Sequence, residues 1–318
     1  MGPRRIHVMA AAIADGDGRI LVTRRPDHVH QGGLWEFPGG KLEPGETPEQ
    51  GLARELAEEL GVTVQASRPL IRVHHDYGDR HILLDVRRVE SYRGEPRGLD
   101  GQPLAWLHPD AMDPAGFPAA DRPIINALRL PSLLLITGAD PARPEAFLAR
   151  LDQALGRGIR LVQLRAHDLD DRAYAALAET AFARCEAAGA RLLLNRDPEQ
   201  ARHLPHHGLH LSARALSRLE RRPLAPDPST GLVGASCHDQ AELARAAALG
   251  LDYALLSPVK HTPTHPEARP LGWDRFAALA DPVPLPLYAL GGLDPDDLDQ
   301  AFRHGAQGIA GIRGLWPE

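Results

Sequence analysis

The stretch from Gly40 to Val62, GKLEPGETPEQGLARELAEELGV, constrains this chain more than any other. It reads as a tight loop feeding a short helix. Thr47 is a good N-cap, Pro48 suits a first helical position whose N–H would have no partner anyway, and Gln50 completes a capping box. Gly61 supplies the left-handed residue that ends the helix. Leu52, Leu56 and Leu60 recur every four residues, so one face is apolar and packs inward. Glu55, Glu58 and Glu59 fall at i, i+3 and i+4 and crowd another face, where like charges repel. Arg54 lies four residues before Glu58 and can pair with it. A hard divalent cation such as Mg²⁺ or Mn²⁺, which prefers oxygen ligands, can take the other carboxylates. The plain alternative is a solvated acidic face.

Glycine, cap and carboxylates together meet every fixed position of G-x5-E-x7-R-E-U-x-E-E-x-G-U, with U aliphatic. In this the chain resembles the Nudix family. The resemblance extends to the MutT-type nucleoside-triphosphate pyrophosphohydrolases over about the first 130 residues, through VTRRPDHVHQGGLWEFPGGK before the box, DRHI at 79–82, GEPRGLDGQP at 94–103 and FPAADRP at 117–123. It implies an α/β/α sandwich with a mixed sheet. The implied reaction is metal-assisted attack of water on a nucleoside triphosphate, releasing the monophosphate and pyrophosphate. It implies Glu58, Glu59 and the Gly39 carbonyl as metal ligands, with Glu55 on the metal or on the attacking water and Arg54 in the catalytic set. One carboxylate must act as base, and the residues do not separate these roles. The same resemblance makes Arg25, His30, Glu36, Phe37, Pro38, Gly39 and Arg80 nucleotide contacts. It also places Asp100 where an acidic loop residue can reach the metal; by itself a loop aspartate is a turn former. Asp121 stands where MutT carries an asparagine that helps select 8-oxoguanine. An aspartate keeps the acceptor but loses the amide donor unless it is protonated.

A chain of 318 residues is long for one domain and natural for two. The division falls at Leu130-Pro131, giving residues 1–130 and 131–318. No run is apolar for long enough to span a membrane. The opening MGPRRIHVMAAAIADGDG reads as a first strand, since Asp15 and Asp17 interrupt it too early for a signal peptide. Cys185 and Cys237 are far apart and form no CxxC, so a cytoplasmic setting is expected. Net charge is −6, with 16 basic against 19 acidic residues to position 130 and 20 against 23 beyond it. Neither part has a basic run, which argues against a polynucleotide partner. In the first part, strands are expected at 5–13, 19–24, 62–65, 69–76, 80–90 and 104–107.

Beyond Pro131 short apolar runs alternate with helical stretches. Eight candidate strands follow, at 133–137, 159–165, 191–195, 208–211, 231–236, 253–257, 286–290 and 308–312, with helices at 143–156, 171–188, 239–249 and 294–304. Eight such units predict a (β/α)8 TIM barrel with its site at the strand C-terminal ends. QLR at 163–165, LLLN at 192–195, GLHL at 208–211, GASCH at 234–238, SPVKHTPTH at 257–265 and ALGGL at 289–293 resemble the thiamine-phosphate synthase and thiazole tautomerase group across essentially all of 131–318. That resemblance implies Gln163, Arg165, Asn195 and His238 as ligand-site residues, with Thr262, Thr264, Gly291 and Gly292 holding phosphate. Four positions depart from the synthase pattern. Its two metal aspartates are replaced by Arg196 and Ala215, and its two lysines by His167 and His265. A tautomerase needs only placed acid and base, for which His238 is available.

Three functions stay open on these residues. The first is a MutT-type hydrolase, an 8-oxo-dGTP diphosphatase that cleans the nucleotide pool and so serves DNA repair, tethered to a thiamine-pathway barrel. The second is Nudix cleavage of a thiamine-pathway pyrophosphate. The third is a barrel that senses a phosphorylated ligand and regulates the hydrolase.

Overall fold

Strand β1 (Arg4–Ile13) alternates between two apolar faces, and each face carries a helix. The computed structural model describes residues 4–29, 31–78, 80–138, 140–227, 229–262 and 267–317. By contact the chain divides into two units, Met1–Arg129 with Asp281–Pro284, and Leu130–Ala280 with Leu285–Glu318. Among the described residues no helix is long and apolar enough to cross a membrane.

In the first unit β1 is followed by β2 (Ile20–Arg24), β3 (Trp35–Glu36), α1 (Pro48–Leu60), β4 (Thr63–Asp76), β5 (Arg80–Arg93), β6 (Leu104–Leu107) and α2 (Arg122–Arg129). One sheet has the order β1-β5-β4 and is mixed, with β1 parallel and β4 antiparallel to β5. A second three-stranded sheet, β3-β2-β6, is wholly antiparallel. Met9, Ala11 and Ile13 pack with Leu52, Leu56 and Leu60 of α1. Ala10 and Ala12, pointing the other way, pack with Ile124, Ile125 and Leu128 of α2. The period of two along β1 thus builds the two cores of an α/β/α sandwich.

The cap of α1 forms as its residues require. Gln50 N donates to Thr47 Oγ1 at 3.3 Å and Thr47 N to Gln50 Oε1 at 2.9 Å, while Gly61 ends the helix at φ 68°. Leu52, Leu56 and Leu60 are fully buried, each contributing roughly 1.5–3 kcal/mol by area. One expectation changes. The strands expected at 62–65 and 69–76 are a single strand, β4, whose register slips at Val64/Ala66, Ala66/Ser67 and Pro69/Ile71. Pro69 lacks a donor and looks like a break, but bulges absorb the missing bond and the strand continues.

The second unit runs β7 (Leu133–Ile136), α3 (Pro144–Gly156), β8 (Leu161–Leu164), α4 (Asp171–Ala187), β9 (Arg191–Leu194), α5 (Pro198–Ala201), β10 (Gly208–Leu211), α6 (Ala213–Arg218), β11 (Leu232–Cys237), α7 (Gln240–Ala248), β12 (Tyr253–Leu256), α8 (Gly272–Ala280), β13 (Leu287–Leu290), α9 (Leu298–Arg303) and β14 (Gly308–Gly311). Strands β7 to β14 close into an all-parallel barrel. Leu134, Ile136, Leu161, Leu193, Tyr253 and Tyr288 fill its interior. Leu135, Val162, Leu192 and Leu194 face outward onto Phe147, Leu151, Leu177 and Ala181 of α3 and α4. Burial on both faces explains why these strands read as unbroken apolar runs. The helix expected at 294–304 begins as a 3-10 turn, Pro295–Asp297, before α9. Helices α5, α6 and α8 carry too few periodic apolar residues to stand out in the sequence.

Candidate active site

Residues 38–42 run antiparallel along β1. Ala11 N donates to Pro38 O at 2.8 Å, Met9 N to Gly40 O at 2.7 Å, and Leu42 N to His7 O at 2.9 Å. This wedges the loop between β1 and α1, where Gly39 has no room for a side chain and Gly40 lies against the Glu55 carboxylate. A Cβ on Gly39, at φ 146°, would lie 2.1 Å from the Met9 carbonyl oxygen; one on Gly40 would lie 2.2 Å from a Glu55 carboxylate oxygen. The close approach lets Gly39 N donate to Glu59 Oε2 at 3.2 Å.

Arg54 organises the acidic face. Its Nε and Nη2 clasp Glu46 at 2.7 and 3.0 Å, its Nη1 reaches Glu55 at 2.9 Å and Glu58 at 3.2 Å, and Nη2 also donates to the Lys41 carbonyl at 3.0 Å. The pairing of Arg54 with Glu58 is therefore present, but it is the longest of the carboxylate contacts. Hydrogen bonding to Arg54 holds the Glu46 carboxyl down at about 2. A fork-shaped guanidinium can serve three acids at once.

Glu59 is different. Burial first, and then the charges of Glu55, Glu36 and Asp100, push its carboxyl up to about 7 against the lowering effect of the Gly39 N–H. The loop carrying Asp100 is brought there by the end of α1. Arg97 N donates to Leu60 O, and both Leu99 N and Gln102 Nε2 donate to Glu59 O, at 3.0, 2.9 and 3.1 Å. These bonds satisfy carbonyls that the helix end leaves open.

Beside this face lies a cavity of about 280 Å³ lined by Met9, Gly39 and Gly40 and, farther out, by Arg25, Glu36, Phe37, Arg80 and Asp121. Arg25 Nη1 pairs with Glu36 Oε2. Phe37 stacks on Phe117 with centroids 5.8 Å apart, so it belongs to the core while also lining the cavity. Asp121 is 6% exposed. Burial, reinforced by Glu36 and opposed by Arg25, pushes its carboxyl up to about 8. Pro38 is not among the lining residues; its carbonyl is spent on β1. His30 lies outside the described residues. Gln31 and Tyr77 line the cavity without having been singled out. Neither sits in a recognisable pattern, since one is in a loop and the other in a hairpin turn.

Among the described residues no three Asp, Glu, His or Cys side chains stand close enough to enclose a metal ion by themselves. The donor set still suits a hard cation that binds through one or two carboxylates and keeps water and phosphate oxygens in its shell. Glu59 with its concentration of like charge, Glu55 and the Gly39 carbonyl are the oxygens on offer, while Glu58 is 62% exposed and bound to Arg54.

In the barrel the named residues gather at the strand C-terminal ends. Gln163 lies near the end of the buried strand β8, and among the described residues its Oε1 has no hydrogen-bond partner. Asn195 Nδ2 donates to His210 O at 2.7 Å. Arg165 is exposed, with its N–H on Thr137 Oγ1 at 2.9 Å. His238 Nδ1 faces the Ser257 carbonyl at 3.0 Å, which leaves Nε2 as the basic nitrogen of the neutral ring. Gly291 and Gly292 pack against Pro258 and His261, where a Cβ would come within 2.9 and 2.4 Å of backbone. That approach accounts for the glycines without a ligand. Thr262 is described; Thr264 and His265 are not. A buried chain through His210, with Tyr253 Oη and Ser236 Oγ each at 2.9 Å, was not foreseen, because a histidine inside GLHL looks like any strand residue. Burial pushes this imidazole down to about 3.

Comparison with known proteins matches both units. Residues 9–127 match the family described as NUDIX domain, and residues 133–315 the family described as thiamine monophosphate synthase. The 8-oxo-dGTP diphosphatase of Escherichia coli is 38% identical over 126 residues, covering 40% of this chain and 98% of that protein. The CTP pyrophosphohydrolase of the same species is 36% identical over 119 residues, 37% of this chain and 88% of that one. The thiamine-phosphate synthase of Thermus thermophilus is 37% identical over 173 residues, 54% of this chain and 82% of that one. The chain is thus a Nudix hydrolase of the MutT kind in its N-terminal part, and belongs through its C-terminal barrel to the thiamine monophosphate synthase family.

Proposed function

We propose that the N-terminal unit hydrolyses a purine nucleoside triphosphate, with 8-oxo-dGTP the leading candidate, to the monophosphate and pyrophosphate with Mg²⁺ or Mn²⁺. The observation that carries this is the placing of the half-buried Glu59 carboxyl on the Gly39 loop, which also lines the cavity holding Arg25, Glu36 and Asp121. Phosphates at the loop and a base at Asp121 are then one ligand's two ends. Glu55, Glu59 and the Gly39 carbonyl hold the cation, with Glu58 and Asp100 at its margin, and the cation neutralises phosphate charge and activates water. Arg54 positions Glu55. Arg25 pairs with Glu36 and holds it in place, while Phe37 and Arg80 bound the nucleotide.

The test is pyrophosphate release with Mg²⁺ or Mn²⁺ from dGTP, 8-oxo-dGTP, CTP, the other triphosphates and thiamine diphosphate. We expect a purine preference. Glu59→Gln keeps an acceptor for Gly39 N–H, so the fold should survive while turnover falls on the order of 10²–10⁴-fold. Full activity in that variant, or a preference for CTP or thiamine diphosphate, would overturn the assignment.

A further inference from the structure

The synthase resemblance of the barrel implies a divalent cation held by two carboxylates, after β9 and after β10. The residues present do not fit one. Arg196, at the first position, is built into the loop between β8 and α4. Its Nη2 donates to the Ala166 and Leu169 carbonyls at 3.1 and 2.7 Å, and its guanidinium lies 4.2 Å over the Tyr174 ring. Tyr174 is itself fixed, 1% exposed, with its hydroxyl on the Leu164 carbonyl at 3.2 Å. Ala215, at the second position, has no side-chain donor, and its N–H is capped by Ser212 Oγ at 3.2 Å.

The charge at the first position has changed sign as well, from a carboxylate in the pattern to the Arg196 guanidinium. Burial, and then the charges of Arg165 and Arg196, hold the His167 imidazole below its ordinary range, with Asp168 opposing. Where the synthase pattern places one metal carboxylate, this chain has the Arg196 guanidinium, close enough to His167 to act on it together with Arg165, which the pattern shares. A cation would meet repulsion and no oxygen side chain from either position.

We infer that the barrel carries no divalent-cation centre, and that any anionic ligand it takes is bound as the free anion, not as a metal chelate. Displacement of pyrophosphate assisted by a metal ion is thereby removed from its repertoire. Proton-transfer chemistry and plain binding are left. The cation requirement of the whole chain then resides in the Nudix unit alone.

The experiment is affinity cleavage of the full-length chain by Fe²⁺ with ascorbate and peroxide, in the presence of inorganic pyrophosphate, with the cut sites mapped by mass spectrometry. Hydroxyl radicals form at the bound iron and cut the nearby backbone. We expect cuts around Gly39 and Glu55–Glu59 that excess Mg²⁺ suppresses, and none across Asn195–Leu216. Mg²⁺-sensitive cuts within Asn195–Leu216 would overturn the inference. Cuts in both regions would overturn the inference and leave the Nudix metal assignment standing, whereas cuts within Asn195–Leu216 alone would count against both, so the two failures are distinguishable.

Discussion

Replacing Asp121 with asparagine tests how this cavity reads its ligand. The Asp121 carboxyl is pushed up to about 8, from an ordinary 3.8, by burial and by Glu36, with Arg25 opposing and Tyr77 alongside. At pH 7 the protonated form then outnumbers the carboxylate by about 10 to 1, and at pH 9 the ratio is reversed. A neutral carboxyl offers one O–H donor and one carbonyl acceptor, the same pair that an asparagine side chain presents. The proton therefore restores what the Asn-to-Asp change takes away. The sign of the stability effect follows from the raised value. The folded state holds this proton between about pH 4 and 8 and the unfolded chain does not, so stability is lost as pH rises through that window. At pH 7 the linkage amounts to at most about 4 kcal/mol, which the asparagine variant does not lose.

Two assays check the argument. In thermal unfolding across pH 5–9, Asp121→Asn should gain on the parent chain as pH rises to about 8 and level off above it. In the pH profile of kcat/KM for a purine triphosphate, the parent should fall by about tenfold per unit above pH 8, and the variant should lack that limb. A constant gap in unfolding midpoint from pH 5 to 9 would refute the protonated state. So would two parallel activity profiles.

Three further outcomes follow from the same geometry. Gly40→Ala drives a methyl into the Glu55 carboxylate, 2.2 Å away; pyrophosphate release should fall on the order of 10²-fold, since small misplacements at a reacting site cost that much, with circular dichroism unchanged. Arg54→Lys leaves one point charge to serve Glu46, Glu55 and Glu58, and should raise the metal concentration needed for half-activity roughly 10–100-fold; an unaltered metal titration counts against Arg54 as the organiser. Thr47→Ala removes one half of the capping box and should cost about 1 kcal/mol in denaturant unfolding, with activity retained.

The motif itself carried α1 into view. Thr47, Pro48, Gln50 and Gly61 act within one turn of themselves, and Leu52, Leu56 and Leu60 declare a buried face through periodicity alone, so no partner need be known. The barrel was legible for a related reason, since strands buried on both faces leave unbroken apolar runs. Strand β4 was not legible as one piece, because the bulges that carry it past Pro69 depend on its pairing with β5. Short helices such as α6 and α8 depend on neighbours in the same way.

Chemistry divides along the same line. That position 59 carries a carboxyl group is written in the sequence. That it sits on the Gly39 N–H, among the fields of Glu55, Glu36 and Asp100, arises only when β1, the glycine loop and the 97–102 loop meet. The sequence likewise shows an aspartate at position 121 and an arginine at 196. Burial beside Glu36 gives the first its proton, and the carbonyls of Ala166 and Leu169 with the ring of Tyr174 turn the second into a loop brace. Residue type and spacing determine which groups a chain owns. Desolvation and through-space charge decide what those groups do, and both exist only in the folded state.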